Sequence, residues 1–377
     1  MNLSRLVHNK PFDEVKILLE SEPYFLRVKE SPAYPTLYIV SYKLGDSPLS
    51  NLVVQECRGI ILEKNTNKIV CYPFNKFFNF NEENAPELDP KTTKVYEKLD
   101  GSFMKLFWYN EEWILTTNNA IDARSNIPHK LENGSKSFYD LFHESFDKFP
   151  YEKLVKKYTY MFEMCHPHTS IVVQHSKPSV YLIGVRDMET FDEVEIERFP
   201  FFKLPQSFNL STLEECSKTL AKDFTNPYEF EGFVLVDHMF RKVKMKTKEY
   251  VEIHHTASNA DPALLVLAAV LQNEQDEIFA YNPWLRSGFA EYKEKHEKYV
   301  NHVVDQFMQC IPENMFRKQF ALKAKESSIR LAILMTIFNK VKNRVEPDFI
   351  KKMTMEVLAD EYKGKKLKVY YEMLNKD

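Results

Sequence analysis

The feature that most constrains this chain is a change of hydrophobic period about two-thirds of the way along it. Before residue 250 the apolar residues come in short alternating runs, the period of half-buried strands. Residues 35–42, 58–62, 68–71, 95–99, 103–109, 113–117, 158–165, 171–174, 180–187, 233–237 and 241–248 are predicted strands on that pattern. Three of them, 95–99, 103–109 and 113–117, read as one meander. Helices are predicted over 12–21, 135–149 and 211–223, the last opened by the capping-box pattern Ser211-Thr212-Leu213-Glu214. Near Thr256 the period becomes helical. Asp261-Pro262 opens a helix, and 291–298 and 322–345 set charged faces against apolar stripes. The expectation is an α+β protein: an antiparallel-sheet domain over residues 1–254, then an all-α domain over residues 255–377. Apolar residues make up 44% of the chain, with 29 Phe and 20 Tyr, enough to give both parts a core.

Against that frame, a few polar residues stand where strands place them in register. Lys98-Leu99-Asp100-Gly101-Ser102 follows a predicted strand. Lysine can attack phosphorus once deprotonated, a carboxylate can orient a sugar hydroxyl, and glycine admits a closely approaching nucleotide. Alone, the run reads more simply as a hairpin turn, because Asp-Gly favours turn conformations. Lys242-Val243-Lys244-Met245-Lys246-Thr247-Lys248 carries four lysines at every second position, hence on one face of a strand. A solvated edge strand would explain that pattern. So would an anion, such as a triphosphate or a nucleic-acid backbone, lying along the face. Glu231-Gly232 leads into an apolar strand, and Phe162-Glu163-Met164 sets a carboxylate inside another, where it needs a cation, a metal or a hydroxyl as partner. Glu56-Cys57-Arg58-Gly59-Ile60 and Phe74-Asn75-Lys76-Phe77-Phe78-Asn79 add an arginine and a lysine upstream.

The formal net charge of −3 excludes a uniformly basic nucleic-acid coat, so polyanion contacts must be local. Five cysteines without a Cys-x-x-Cys pair fit a reduced, intracellular protein. The N-terminus lacks an apolar signal region, and the longest apolar run, Ala263 to Leu271, is too short to span a membrane. A cytoplasmic protein is expected, in a host's cytoplasm if viral. His166, His168, His254 and His255 lack the spacing of a zinc site and read as structural or RNA-contacting.

In this order, the motifs resemble those of the covalent nucleotidyltransferase superfamily of polynucleotide ligases and capping enzymes. Within it they resemble the ATP-dependent RNA ligase 1 family typified by T-even bacteriophages. Lys98 to Gly101 matches the Lys-x-Asp-Gly nucleotidyl motif, Phe162-Glu163 the central Glu motif, Glu231-Gly232 the Glu-Gly motif, and Lys244 to Lys246 the closing Lys-x-Lys. Arg58-Gly59 and Lys76 to Asn79 match the more family-specific segments. The resemblance covers about residues 50–255 and implies an ATP-grasp-like nucleotidyltransferase domain with Lys98 as nucleophile toward ATP. Lys244 and Lys246 would stabilise the α-phosphate. Arg58 and Lys76 would hold the pyrophosphate. Glu97, Asp100, Gly101, Glu163 and Glu231 would complete the AMP site, with Ile183 and Val234 sandwiching adenine. Glu163 and Glu231, directly or through water, would hold Mg²⁺, with Mn²⁺ able to replace it. The implied partner is RNA with 5′-phosphate and 3′-hydroxyl ends, tRNA or another structured RNA, selected by the helical domain of a monomer.

One position departs from the pattern. The strand after the nucleotidyl motif usually ends in a basic residue, whereas Asn118 stands here in Thr116-Thr117-Asn118-Asn119. Two other readings fit less well. DNA ligases and GTP-dependent capping enzymes usually follow Lys-x-Lys with a β-rich OB domain, not helices. A non-catalytic RNA-binding relative would not be expected to retain Lys98, Glu163, Glu231, Lys244 and Lys246 together.

Overall fold

The computed structural model describes residues 1–43, 46–125, 136–210, 212–255, 262–272, 275–276, 279, 286–311, 317–341, 344, 346–362 and 366–375. The chain divides into two compact units, Met1–Tyr250 and Val251–Asp377, where the sequence reading placed a boundary after residue 254.

In the first unit, strands β1 (Arg27–Glu30), β2 (Leu37–Ser41), β3 (Arg58–Glu63) and β4 (Ile69–Cys71) form an antiparallel sheet in chain order. The remaining strands are β5 (Phe78–Asn79), β6 (Lys94–Lys98), β7 (Ser102–Tyr109), β8 (Glu112–Thr117), β9 (Tyr158–Cys165), β10 (Ser179–Asp187), β11 (Glu193–Val194), β12 (Ser207–Phe208), β13 (Gly232–Val236) and β14 (Lys242–Lys246). They make two five-stranded sheets of order β11-β10-β9-β7-β8 and β12-β6-β13-β14-β5. Among the described strands every pairing is antiparallel except that of β14 with β5.

The meander read from the sequence is therefore split. β7 and β8 pair as expected, but β6 belongs to the other sheet and pairs with β13 and β12. Lys98-Leu99-Asp100-Gly101-Ser102 is the crossover between the two sheets, not a hairpin turn. Local alternation sets which side of a strand is apolar, but not which partner it takes.

Other expectations are corrected in the same way. Residues 171–174 are not a strand; the backbone N–H groups of Val172 and Val173 point instead at Asp100. The helix expected over 135–149 is confined to Phe138–His143, capped by a Ser137–Asp140 box; residue 135 lies outside the described residues. The capping box of Leu213–Asp223 is Thr212–Glu215, one residue later than read, because Thr212 accepts from the Glu215 N–H. Residue 211 lies outside the described residues. β14 ends at Lys246, and Lys248 opens the helix Lys248–His255, so the four-lysine face is three residues long.

A cluster of rings on Phe142, Phe149, Tyr160, Phe162, Phe199 and Phe202 packs one face of the β9–β7 sheet, mostly edge-on or tilted, with Tyr160 and Phe162 near parallel. The second unit is helical among its described residues: Pro262–Gln272, Arg286–Cys310, Arg317–Ala324, Leu331–Val341, Pro347–Glu361 and Leu367–Leu374. Phe307, Phe320, Leu334, Ile337, Tyr362 and Tyr370 are buried at its centre. The expected helix start at Asp261, the side chains of His254 and His255, and Lys363 to Lys365 lie outside the described residues. No helix among the described residues is long and apolar enough to cross a membrane.

Candidate active site

The register of β13 brings the lysines together. Gly232 opens that strand and pairs with Lys98 on β6 and with Lys246 on β14, so the preceding residue, Glu231, sits between two lysines. Lys98 Nζ donates to Glu231 Oε2 at 2.8 Å, and Lys246 Nζ lies 3.4 Å from Oε1. Glu231 and Lys246 are buried, while the Lys98 side chain keeps 20% of its surface open. That opening leads into a cavity of about 560 Å³ lined also by Arg58, Glu97, Gly101, Asn118, Glu163, Ile183 and Val234. A volume of this size is typical of a small-molecule site.

Each wall has a local origin. Glu163 stands on β9 opposite Phe103 of β7. Burial pushes its carboxyl up to about 7, opposed by the Lys98 charge and reinforced by that of Glu231. Burial also raises the Glu97 carboxyl above the usual range, against the pull of His175. Ile183 owes its place to a β-bulge: the β10–β9 register shifts between Leu182 and Gly184, and the residue left over faces the cavity. Val234 reaches the cavity from the middle of β13. Arg58, the first residue of β3, has its guanidinium 4.9, 5.6 and 4.6 Å from the ring centres of Phe74, Phe77 and Phe103. Such ring faces hold a cation without neutralising it. Gly101 is required by close approach, since a Cβ there would stand 2.5 Å from the Met164 carbonyl oxygen and push β7 from β9.

Other residues singled out in the sequence lie elsewhere. Asp100 is buried away from the cavity. Its Oδ2 accepts from the Val172 and Val173 N–H groups at 2.9 and 2.8 Å, and its Oδ1 from the Tyr250 hydroxyl at 3.0 Å. It braces the crossover that carries Lys98. Lys76 lines an adjoining cavity of about 610 Å³ with Arg186, Arg241 and Lys242, and rests over the Phe78 ring at 5.2 Å. Lys244 is half-buried on β14 opposite Val234, and Lys246 reaches Lys98 through Glu231 without lining the cavity itself. The lysine face is not solvated: Lys242 is buried and ion-paired to Glu193, which also holds Arg186 at 3.0 Å. Part of the anion that the lysine pattern called for is thus supplied by the protein's own glutamates.

Sequence reasoning missed Glu193 and Lys105, although each left a signal. Glu193 begins the alternation Glu193-Val194-Glu195-Ile196-Glu197, and Lys105 interrupts the apolar strand Phe103-Met104-Lys105-Leu106-Phe107. Among the described residues no group of three or more His, Cys, Asp or Glu side chains is arranged to hold a metal ion.

The sequence profile of the RNA ligase family matches residues 56–250, just over half of the chain, and contains Lys98, Glu163, Glu231, Lys244 and Lys246. The chain belongs to the RNA ligase family. Among relatives, it is 29% identical over 364 residues to an RNA ligase of Rhodothermus phage RM378, covering 76% of this chain and 82% of that one. It is also 29% identical over 281 residues to a protein of Autographa californica nuclear polyhedrosis virus whose name joins polynucleotide kinase and RNA ligase. That alignment covers 70% of this chain but only 40% of the viral protein. Among solved structures, an archaeal ATP-dependent RNA ligase superposes with a TM-score of 0.43 at 12% identity, covering 80% of this chain and 82% of that one. In this RNA ligase family member the matched segment coincides with the sheets that build the cavity, and the helical unit lies beyond it.

Proposed function

We propose that this protein joins RNA 5′-phosphate and 3′-hydroxyl ends with ATP, through a lysyl-AMP and then an RNA-adenylate intermediate. The observation that carries the reading is Lys98 Nζ at a cavity wall, 2.8 Å from a buried glutamate that also faces Lys246. A lysine attacks phosphorus only after losing a proton, and Glu231 Oε2 is placed to accept it. The Nζ–Pα bond forms as the bond from Pα to the bridging oxygen breaks, and pyrophosphate leaves with that electron pair. Lys246, with Lys244 beside it on β14, supplies positive charge toward the α-phosphate. Arg58 offers a buried Nη1 without a hydrogen-bond partner to the departing phosphates, and Lys76 continues the basic path in the adjoining cavity. Ile183 and Val234 supply apolar faces for adenine, near Glu97 and Gly101. AMP then passes to the 5′-phosphate of RNA, and attack by a 3′-hydroxyl on that end releases AMP.

Glu163 and Glu231 suit Mg²⁺, which takes one or two carboxylates and completes its shell with substrate phosphates and water; Mn²⁺ accepts the same donors. Burial holds Glu163 near neutrality, a cost that an incoming cation would relieve. When bound, the ion would neutralise phosphate charge.

The helical unit is our candidate for selecting the RNA, tRNA or another structured molecule. Residues 317–344 hold eight Lys and Arg against one acidic residue, and Arg317, Lys318, Lys323, Lys325, Arg330 and Lys340 are exposed. A monomer in the cytoplasm, a host's if the source is viral, is the setting we infer, in keeping with five buried cysteines that form no disulfide.

The test is incubation of protein freed of AMP with α-labelled ATP and Mg²⁺. Label should become covalently attached, and Lys98→Ala should abolish the attachment. Labelling by GTP in place of ATP would turn the reading to capping chemistry. Sealing of nicked DNA but not of RNA ends would turn it to DNA ligation, and no labelling by either nucleotide would refute it.

A further inference from the structure

Among the described residues of the first unit, Lys105 is a buried cation with no carboxylate partner. Lys105 is in the middle of β7 with no exposed surface, and its ammonium donates one hydrogen bond, 2.5 Å to the Gly59 carbonyl oxygen. Its strand neighbours Met104, Leu106 and Phe107 are core residues. Packing alone would be better served by leucine or methionine, because a buried ammonium with one neutral acceptor is expensive. Something outside the fold is expected to offset it.

The surroundings say what. Gly59 has φ +79°, and a Cβ built on it would lie 2.5 Å from Lys105 Nζ, 2.9 Å from the Asn118 carbonyl oxygen and 3.0 Å from Asn118 Cα. One point therefore gathers the Lys105 ammonium, the β-bulge that Gly59 makes at the start of β3, and the end of β8. Arg58 and Asn118 face the cavity, and Lys105 stands behind them. Arg58 Nη1 and Asn118 Oδ1 are both buried and without hydrogen-bond partners. The Asn118 amide can turn its nitrogen to the cavity as readily as its oxygen. Two cations and an unsatisfied amide at one corner form a site for an anion.

We propose that Lys105 is a positioning residue for the phosphates of the bound nucleotide. It anchors the Arg58-Gly59 bulge of β3 and, from behind Asn118, supplies positive charge that the neutral side chain at 118 does not. The inference rests on the proposed function for the identity of the nucleotide. The titratable groups that face the ammonium are Cys71 and Arg58. Burial lowers the ammonium to about 8, Cys71 opposing and Arg58 adding. Charge at Lys105 is present below that value and lost above it, so anion affinity must fall as pH rises through 8.

The experiment is ATP binding by calorimetry at pH 7 and pH 9, with covalent AMP transfer read in parallel. In the unmodified protein, affinity should fall severalfold between the two pH values. Lys105→Met should keep or raise the melting temperature, weaken ATP binding by about tenfold or more at pH 7, and flatten the pH dependence. Adding Asn118→Lys to Lys105→Met should restore most of the affinity, which a purely structural role for Lys105 would not allow. A flat pH profile in the unmodified protein would overturn the inference, and so would unchanged affinity in Lys105→Met or no restoration by Asn118→Lys. If ATP binds but no AMP is transferred, the ligase reading fails while Lys105 is still judged on the binding ratios. If neither ATP nor inorganic triphosphate binds, both fail.

Discussion

Replacing Glu231 with glutamine removes the charge that Lys98 and Lys246 share and leaves two ammonium groups facing a neutral amide. The two N–O distances are 2.8 and 3.4 Å, and the glutamate is 3% exposed. At an effective dielectric of about 20, one such pair at 4 Å is worth roughly 4 kcal/mol of attraction, and breaking a buried pair typically costs about 3–5 kcal/mol. Lys98 can turn toward solvent, which relieves part of that cost, so we expect about 3 kcal/mol of destabilisation. Urea unfolding followed by tryptophan fluorescence reads it, since Trp108 and Trp113 lie in this unit. A second substitution separates charge from packing: Lys246→Met added to Glu231→Gln should recover at least about 1 kcal/mol, because it removes one of the stranded cations. The reasoning fails if Glu231→Gln costs less than about 1 kcal/mol, or if the effects of the two substitutions simply add. AMP transfer should fall sharply in Glu231→Gln near neutral pH, because Lys98 loses its proton acceptor, and recover in part as rising pH deprotonates the lysine.

Other perturbations have signs that follow from the structure. Glu163 has its pKa raised to about 7, so the folded state binds more protons than the unfolded one between the ordinary carboxylate range and 7. Its penalty is absent in acid and complete above 7. Glu163→Gln should therefore raise the melting temperature at pH 8 and leave it unchanged at pH 4, while lowering AMP transfer; equal shifts at both values would contradict the assignment. In the helical unit, burial lowers His296 to about 4, and its Nδ1 lies 2.7 Å from the Tyr370 hydroxyl. Here the unfolded state binds more protons between about 4 and 6.5, so stability is full above 6.5 and declines by up to about 3 kcal/mol as pH falls to 4. His296→Gln should flatten that acid limb in thermal scans; an unchanged slope would refute it. Asp100→Asn presents an amide to two backbone donors and a hydroxyl, and should cost about 2 kcal/mol in urea unfolding, with Tyr250→Phe costing less. A neutral Asp100→Asn would mean that the carboxylate does not brace the crossover.

Much of the site was legible because strands alternate. A lysine at every second position of 242–246 had to share a face, and Glu163 inside an apolar strand had to meet a cation or a ligand. The motifs carried Lys98, Glu231 and Arg58 to the same place by resemblance, and the structure brings all three to one cavity or to its immediate wall. What alternation could not show is which strands are neighbours. Lys98 and Glu231 are 133 residues apart, and only the pairing of β6 with β13 puts them 2.8 Å from each other.

By itself, then, the sequence determined the two regimes of the chain, sheet-forming and then helical, and the residue types able to handle a phosphorylated ligand. Tertiary structure decided the rest. It made the Lys98–Ser102 run a crossover between sheets, turned Asp100 inward as a brace, and used a bulge to aim Ile183 at the cavity. It also set a lone lysine, Lys105, behind Asn118. The physical reason is one of range. Side-chain period is set by neighbours two to four residues away, whereas burial, charge pairing and strand partnership are set by residues far along the chain that only the folded molecule brings into contact.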